Sequence, residues 1–150
     1  MRGYIAGVAA ALLAAGVATA ETPPDEVEFN DSFAVPEPLT DTPGDPERGR
    51  EWFMGRRLGN CLACHQNSEM TDQPFHGEVG PPVDGAGARW TEGQLRAIVI
   101  NSKEIFGDQT IMPAFYKASG FNRPREQFAG KTILTAQQVE DVVAYLKTLK

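Results

Sequence analysis

After its first twenty residues the sequence has no apolar run approaching the roughly 20 residues that a membrane helix requires. A mature chain without a membrane span is therefore predicted. Cysteine and histidine are almost missing too, at two apiece. No period-two alternation is long enough to require a sheet, and no internal repeat is evident. Positive charge is the scarcer kind, with 14 Lys and Arg against 20 Asp and Glu, and this acidic balance argues against a nucleic-acid partner.

What is present begins with a leader. Met1 to Ala20 reads as a secretory signal: Arg2 in a short basic start, an apolar stretch from Ile5 to Val17, and the small-residue site Ala18-Thr19-Ala20 before Glu21. Cleavage there predicts an exported chain of one domain, with 13 basic against 20 acidic residues. Residues 21–44 hold five of the eleven prolines and few large apolar side chains. They read as an extended arm outside the core, either a leader without function or a segment that lies along a partner through Phe29, Phe33 and Val35.

The folded domain, residues 45–150, is expected to open at Asp45-Pro46-Glu47, where an N-cap carboxylate, a proline and an acidic first turn announce a helix to about Leu58. Thr91 with Gln94 and Thr135 with Gln138 form two capping boxes, each flanked by a hydrophobic staple, Trp90 to Leu95 and Leu134 to Val139. Leu95, Ile98 and Val99 supply the first apolar stripe. Val139, Val142, Val143, Leu146 and Leu149 supply the second. Glycine and proline clusters separate these helices, notably over residues 77–87, so the domain reads as all-α with long loops. A core this small tolerates such loops poorly unless something large and apolar fills its centre.

Cys61-Leu62-Ala63-Cys64-His65 is the Cys-x-x-Cys-His signature of covalent haem attachment. Each thiol can add to one vinyl group of a porphyrin, and the adjacent imidazole is placed to reach the iron. A disulfide across so small a loop would add little stability, a thioredoxin-like dithiol requires a strand before a helix, and zinc would need further ligands. Only His76 is in reserve, and it reads as an exposed loop residue.

Three methionines compete for the sixth position on the iron. Met70 lies five residues past His65, and Met54 sits on the helix leading into the motif; both read as packing or surface residues. Met112 follows His65 by 47 residues, enough to cross to the opposite face, and Pro113 stiffens its backbone. It is the expected ligand. For the outer ring nitrogen of His65 the Gly80-Pro81-Pro82 segment offers a carbonyl, that of Pro81 in first place, although proline there serves loop stiffening equally well.

Cys61 to His65, Gly80-Pro81 and Met112-Pro113, in that order, resemble a class I cytochrome c over nearly the whole domain. That resemblance implies the class I fold, a small helical domain around one haem c, and a contact of Gly49 and Phe53 on the first helix with Tyr145 and Leu146 on the last. From Asp45 to Lys150 the likeness is nearest to the SoxX family of monohaem cytochromes, carried by Cys61 to His65, Met112-Pro113-Ala114-Phe115-Tyr116 and the stretch from Gly130 to Leu146. The family implies a periplasmic heterodimer with a SoxA-type cytochrome, an L-cysteine S-thiosulfotransferase that couples thiosulfate oxidatively to a cysteine of a sulfur-carrier protein. In that scheme this subunit is not catalytic: it takes electrons through its haem and hands them to a downstream acceptor.

The residues agree with that division, since both cysteines are consumed by thioether bonds and no thiol remains to act as nucleophile. Two other readings share the haem: a free-standing periplasmic shuttle to an oxidase or reaction centre, and a gas sensor in which Met112 is not bound to iron.

Overall fold

The computed structural model describes residues 20–150. The signal-peptide reading therefore lies, but for Ala20, outside the described residues. Four α-helices carry the described chain: α1 (Pro46–Met54), α2 (Ala86–Arg89), α3 (Glu92–Phe106) and α4 (Ala136–Thr148). No strand occurs among the described residues, only an isolated antiparallel bridge between Glu21 and Thr40. None of these helices is long and apolar enough to cross a membrane.

The helix starts follow from local chemistry. Asp45 Oδ1 accepts from the amides of Glu47 (2.9 Å) and Arg48 (3.3 Å), with Pro46 at the first helical position. Both capping boxes close: Gln94 N donates to Thr91 Oγ1 and Gln138 N to Thr135 Oγ1, while each glutamine carbonyl accepts from its threonine's own amide. The first helix is shorter than the sequence predicts, ending at Met54 rather than near Leu58. Gly55 leaves it extended, and the amides of Leu58 and Asn60 both return to the Gly55 carbonyl at 3.0 Å. Those bonds make a closed turn where a helix would have run on.

α1 crosses α4 at very short range. A methyl at Gly49 would fall on the Asp141 carbonyl and lie 2.8 Å from Tyr145 Cβ, so only glycine allows this approach. Phe53 meets Tyr145 edge-on, ring centroids 5.6 Å apart, and Leu146 is buried in the same core. α4 buries the apolar stripe expected of it, with two carboxylates besides. Asp141 accepts from Asp45 N, Arg48 Nε and Nη2, Trp52 Nε1 and Gln137 Nε2 at 2.9–3.2 Å, tying α1 and its cap to α4. Burial alone would raise its pKa, but these donors, led by Arg48, hold the carboxyl below its ordinary value.

The second carboxylate overturns the reading of residues 21–44 as lying outside the core. Glu140 and Arg96 of α3 form a buried pair, Nε to Oε1 at 2.8 Å and Nη2 to Oε2 at 2.9 Å. Arg96 Nη1 donates to the Val35 carbonyl (2.8 Å), and Glu140 Oε1 accepts from Leu39 N (2.9 Å). The segment is held because it satisfies a buried ion pair, and it brings Val35 and Leu39 into the core. Phe33 stays exposed.

Candidate functional site

Asn60, in the left-handed region at φ 49°, turns the chain into a short 310 turn over Cys61–Ala63. The amides of Cys64 (3.1 Å) and His65 (2.9 Å) both donate to the Cys61 carbonyl. Positions i, i+3 and i+4 of one helical turn share a face, so Cys61, Cys64 and His65 are presented together. Both cysteines are free, and burial pushes the Cys61 thiol up to about 12, with Cys64 adding to the rise. A thiol so held is protonated at neutral pH, the reverse of the activated thiolate in a dithiol oxidoreductase.

A loop lies along this turn through three backbone bonds: Gly77 N to Leu62 O (2.7 Å), Gly80 N to Cys64 O (2.8 Å) and Val83 N to Gln66 O (2.9 Å). It sets the Pro81 carbonyl 2.7 Å from His65 Nδ1. A carbonyl can only accept, so Nδ1 carries the proton and Nε2 keeps its lone pair for a metal. Gly80 lies flush against the imidazole, where an added Cβ would come within 2.8 Å of Nδ1 and 2.9 Å of Nε2. From the other end Arg89 Nη2 donates to the Pro82 carbonyl (3.2 Å) and Nη1 to that of Asp84. Arg89 carries no sequence signal for this role.

Met112 is not joined to that cluster of bonds; a kink in α3 positions it separately. Asn101 breaks the helix at φ −154°, ψ 93°, and its side chain accepts from Lys103 N (3.3 Å), as an N-cap would. The carbonyls of Val99 and Ile100 are thereby released from the helix, and they accept from Phe115 N and Tyr116 N at 3.3 and 3.2 Å. Ser102 Oγ donates to the Met112 carbonyl at 2.9 Å. The segment Met112 to Tyr116 is thus pinned to the kink, with the Met112 side chain half-buried against the core. An asparagine inside an apolar helical stripe was the one available sign of this break.

The competing sulfurs are engaged elsewhere. Met70 is fully buried, and Met54 packs on the core with its sulfur 3.9 Å from Arg50 Nη1. His76 is not the exposed loop residue expected. It is half-buried, its Nδ1 accepting from Asn67 N (3.2 Å) and its Nε2 donating to the Met70 carbonyl (3.1 Å). Asn67 Nδ2 in turn donates to Tyr145 Oη at 2.7 Å, which hydrogen-bonds Glu69; burial, then Glu69, raises the Tyr145 pKa. His76 fails as a loose ligand because both ring nitrogens tie loop to loop.

These residues fit a covalently attached haem: two free thiols on one face of a turn, an imidazole with its outer nitrogen fixed, a glycine flush with that ring, and a thioether on a pinned loop. Comparison with known proteins bears on the same point. The cytochrome c family model matches residues 46–150. A chain of the SoxXA crystal structure from P. pantotrophus is 52% identical, with a TM-score of 0.80 over 87% of this chain and 98% of that one. A chain of the c-type cytochrome SorU from Sinorhizobium meliloti is 27% identical, with a TM-score of 0.44 over 69% and 88%. None of the curated proteins matches. The chain belongs to the cytochrome c family, as a SoxX-like electron-transfer subunit that carries haem c.

Proposed function

We propose that this chain is the electron-transfer half of a periplasmic heterodimer with a SoxA-like cytochrome, acting as an L-cysteine S-thiosulfotransferase. The observation that carries the reading is the 52% identity over 98% of a SoxXA chain. Its 87% coverage of this chain exceeds what residues 46–150 can supply, so the likeness takes in part of the arm as well. Cys61 and Cys64 would hold the haem by thioether bonds, His65 and Met112 would ligate its iron, and the Pro81 carbonyl orients His65.

Bound haem supplies one-electron chemistry at the iron. The chain's own residues prepare it. Pro81 holds the proton on His65 Nδ1 and so keeps Nε2 available, and Gly80 packs close to the imidazole from one side. The kink at Asn101 fixes the backbone of Met112, so the thioether is presented without the entropy of a free loop. Joining thiosulfate to the thiolate of a carrier protein's cysteine makes an S–S bond and releases two electrons. With both its cysteines in thioethers, this chain has no thiol for that step, so a partner must supply the reactive sulfur.

The test is co-purification from the native periplasm. A second, larger cytochrome should elute with this chain in a one-to-one complex that forms a covalent thiosulfate adduct on a carrier cysteine. A haem-loaded monomer with no companion would overturn the heterodimer and favour the shuttle. Retention of covalent haem in a Cys61→Ser, Cys64→Ser double variant would overturn the attachment residues.

A further inference from the structure

The chain from Phe115 leaves the core and comes back to the same residue: the amides of Ile133 and Leu134 both donate to the Phe115 carbonyl at 3.0 Å. Between these points residues 117–131 form an exposed Ω-like loop, turned by left-handed φ angles at Gly120, Arg123 and Gly130. Its charge runs against that of the molecule. It carries Lys117, Arg123, Arg125 and Lys131 against Glu126 alone, whereas residues 20–150 outside it set nine basic side chains against 19 acidic ones.

The cations of the loop differ from most of the others in what they touch. Of the nine elsewhere, Arg48, Arg50, Arg96 and Lys147 pair with carboxylates, Arg89, Lys103 and Lys150 donate to backbone carbonyls, and only Arg56 and Arg57, exposed in the turn after α1, have no such side-chain partner among the described residues. Among the described residues, none of the loop's four cationic side chains donates a hydrogen bond or joins an ion pair. Lys117 lies 6.0 Å from the centroid of Phe121, which is itself 43% exposed. An exposed aromatic with an unpaired lysine over its ring, in a loop that carries three more unpaired cations, combines the apolar and charged elements of a docking patch. It hangs from Phe115, three residues past Met112.

We propose that residues 117–131 are the face on which an electron-accepting protein with an acidic surface docks. The proposal rests on the haem assignment but not on the identity of the permanent partner. In the transfer, one electron leaves the reduced chain and reduces one acceptor metal centre, with no bond made and no proton moved. The acidic remainder of the chain would repel such a partner, so the loop also fixes the orientation of approach.

The test follows the salt dependence of electron transfer from the reduced holoprotein to a blue-copper protein with an acidic surface patch. An approach governed by the net negative charge speeds up as salt is added; docking on the loop slows down. The expected result is a fall of at least about threefold between about 10 and about 200 mM salt. Arg123→Glu, Arg125→Glu, Lys131→Glu together should lower the low-salt rate by a similar factor and reverse the slope, and the three glutamine replacements should flatten it. Backbone amide shifts on adding the copper(I) protein should concentrate in residues 117–131, a readout that needs no electron transfer. A wild-type rate that rises with salt, an unchanged slope in the variants, or amide shifts confined to other surfaces would each overturn the proposal. Absence of covalent haem from the wild type would instead overturn the haem assignment, leaving the amide shifts to decide the docking face.

Discussion

Where α1 crosses α4, buried side chains hold the molecule together, and Asp141 takes five donor atoms from four residues. Around Cys61–His65 and Met112 the work falls to the backbone, through the amides of Gly77, Gly80, Val83, Phe115 and Tyr116. This difference separates stability from chemistry. In the helical frame a side chain cannot be changed without stranding a buried partner. In the site loops the peptide groups carry the geometry, which leaves the cysteines, the imidazole and the thioether free for a cofactor. Frame variants should therefore move stability and spare the haem spectrum, and site variants should do the opposite.

The largest break is expected at the ion pair. Arg96→Met leaves Glu140 buried without its cation and frees the Val35 carbonyl, a loss of about 3–5 kcal/mol. Chemical denaturation of the holoprotein measures it, and residues 35–39 should become the first site of proteolysis. Adding Glu140→Leu should recover most of the loss; if the double variant is no better than the single one, the pair is not what holds the arm. Next comes Gly49→Ala, whose methyl meets the Asp141 carbonyl and forces the helices apart. Overpacking of this kind costs about 3 kcal/mol, and a midpoint within error of wild type would show that the crossing is looser than drawn.

Asp141→Asn keeps the shape but weakens the charge-assisted bonds to Arg48, at about 1–3 kcal/mol. Its pH dependence tells the charge from the packing. The folded carboxyl is held below its ordinary value, so its contribution is complete above the unfolded pKa of about 3.9 and fades as pH falls through the folded value. The gap in stability between wild type and Asp141→Asn should thus be constant above about pH 5 and narrow below about pH 4. A gap independent of pH down to 2 would assign the effect to packing.

The parts legible in the sequence are those fixed within a few residues. Asp45-Pro46, Thr91 with Gln94 and Thr135 with Gln138 satisfy their own first amides, so each helix start could be read locally, and Cys-x-x-Cys-His is itself a one-turn geometry. What escaped depends on partners far along the chain. Arg96 gives no local sign of its role inside an apolar stripe, because Glu140 and the Val35 carbonyl lie 44 and 61 residues away. His76 reads as loose from its neighbours in sequence, because Asn67 and Met70 reach it only across a closed loop. The helix end at Met54 is not legible because helix propensity says nothing of two amides competing for the Gly55 carbonyl.

The smallest cost in stability and the largest in spectrum should come from Met112→Ala. The side chain is only half-buried and its backbone is held by Ser102, Phe115 and Tyr116 whatever stands at position 112, so the fold should lose about 1–2 kcal/mol. The oxidised wild type should show a methionine-sulfur to iron charge-transfer band, and this variant should lack it while keeping covalent haem. Loss of the band with little loss of stability would place Met112 on the chemical side of the division. If the wild type lacks the band, the sixth position is not methionine, and the kink at Asn101 serves to anchor the cationic loop rather than to present a ligand.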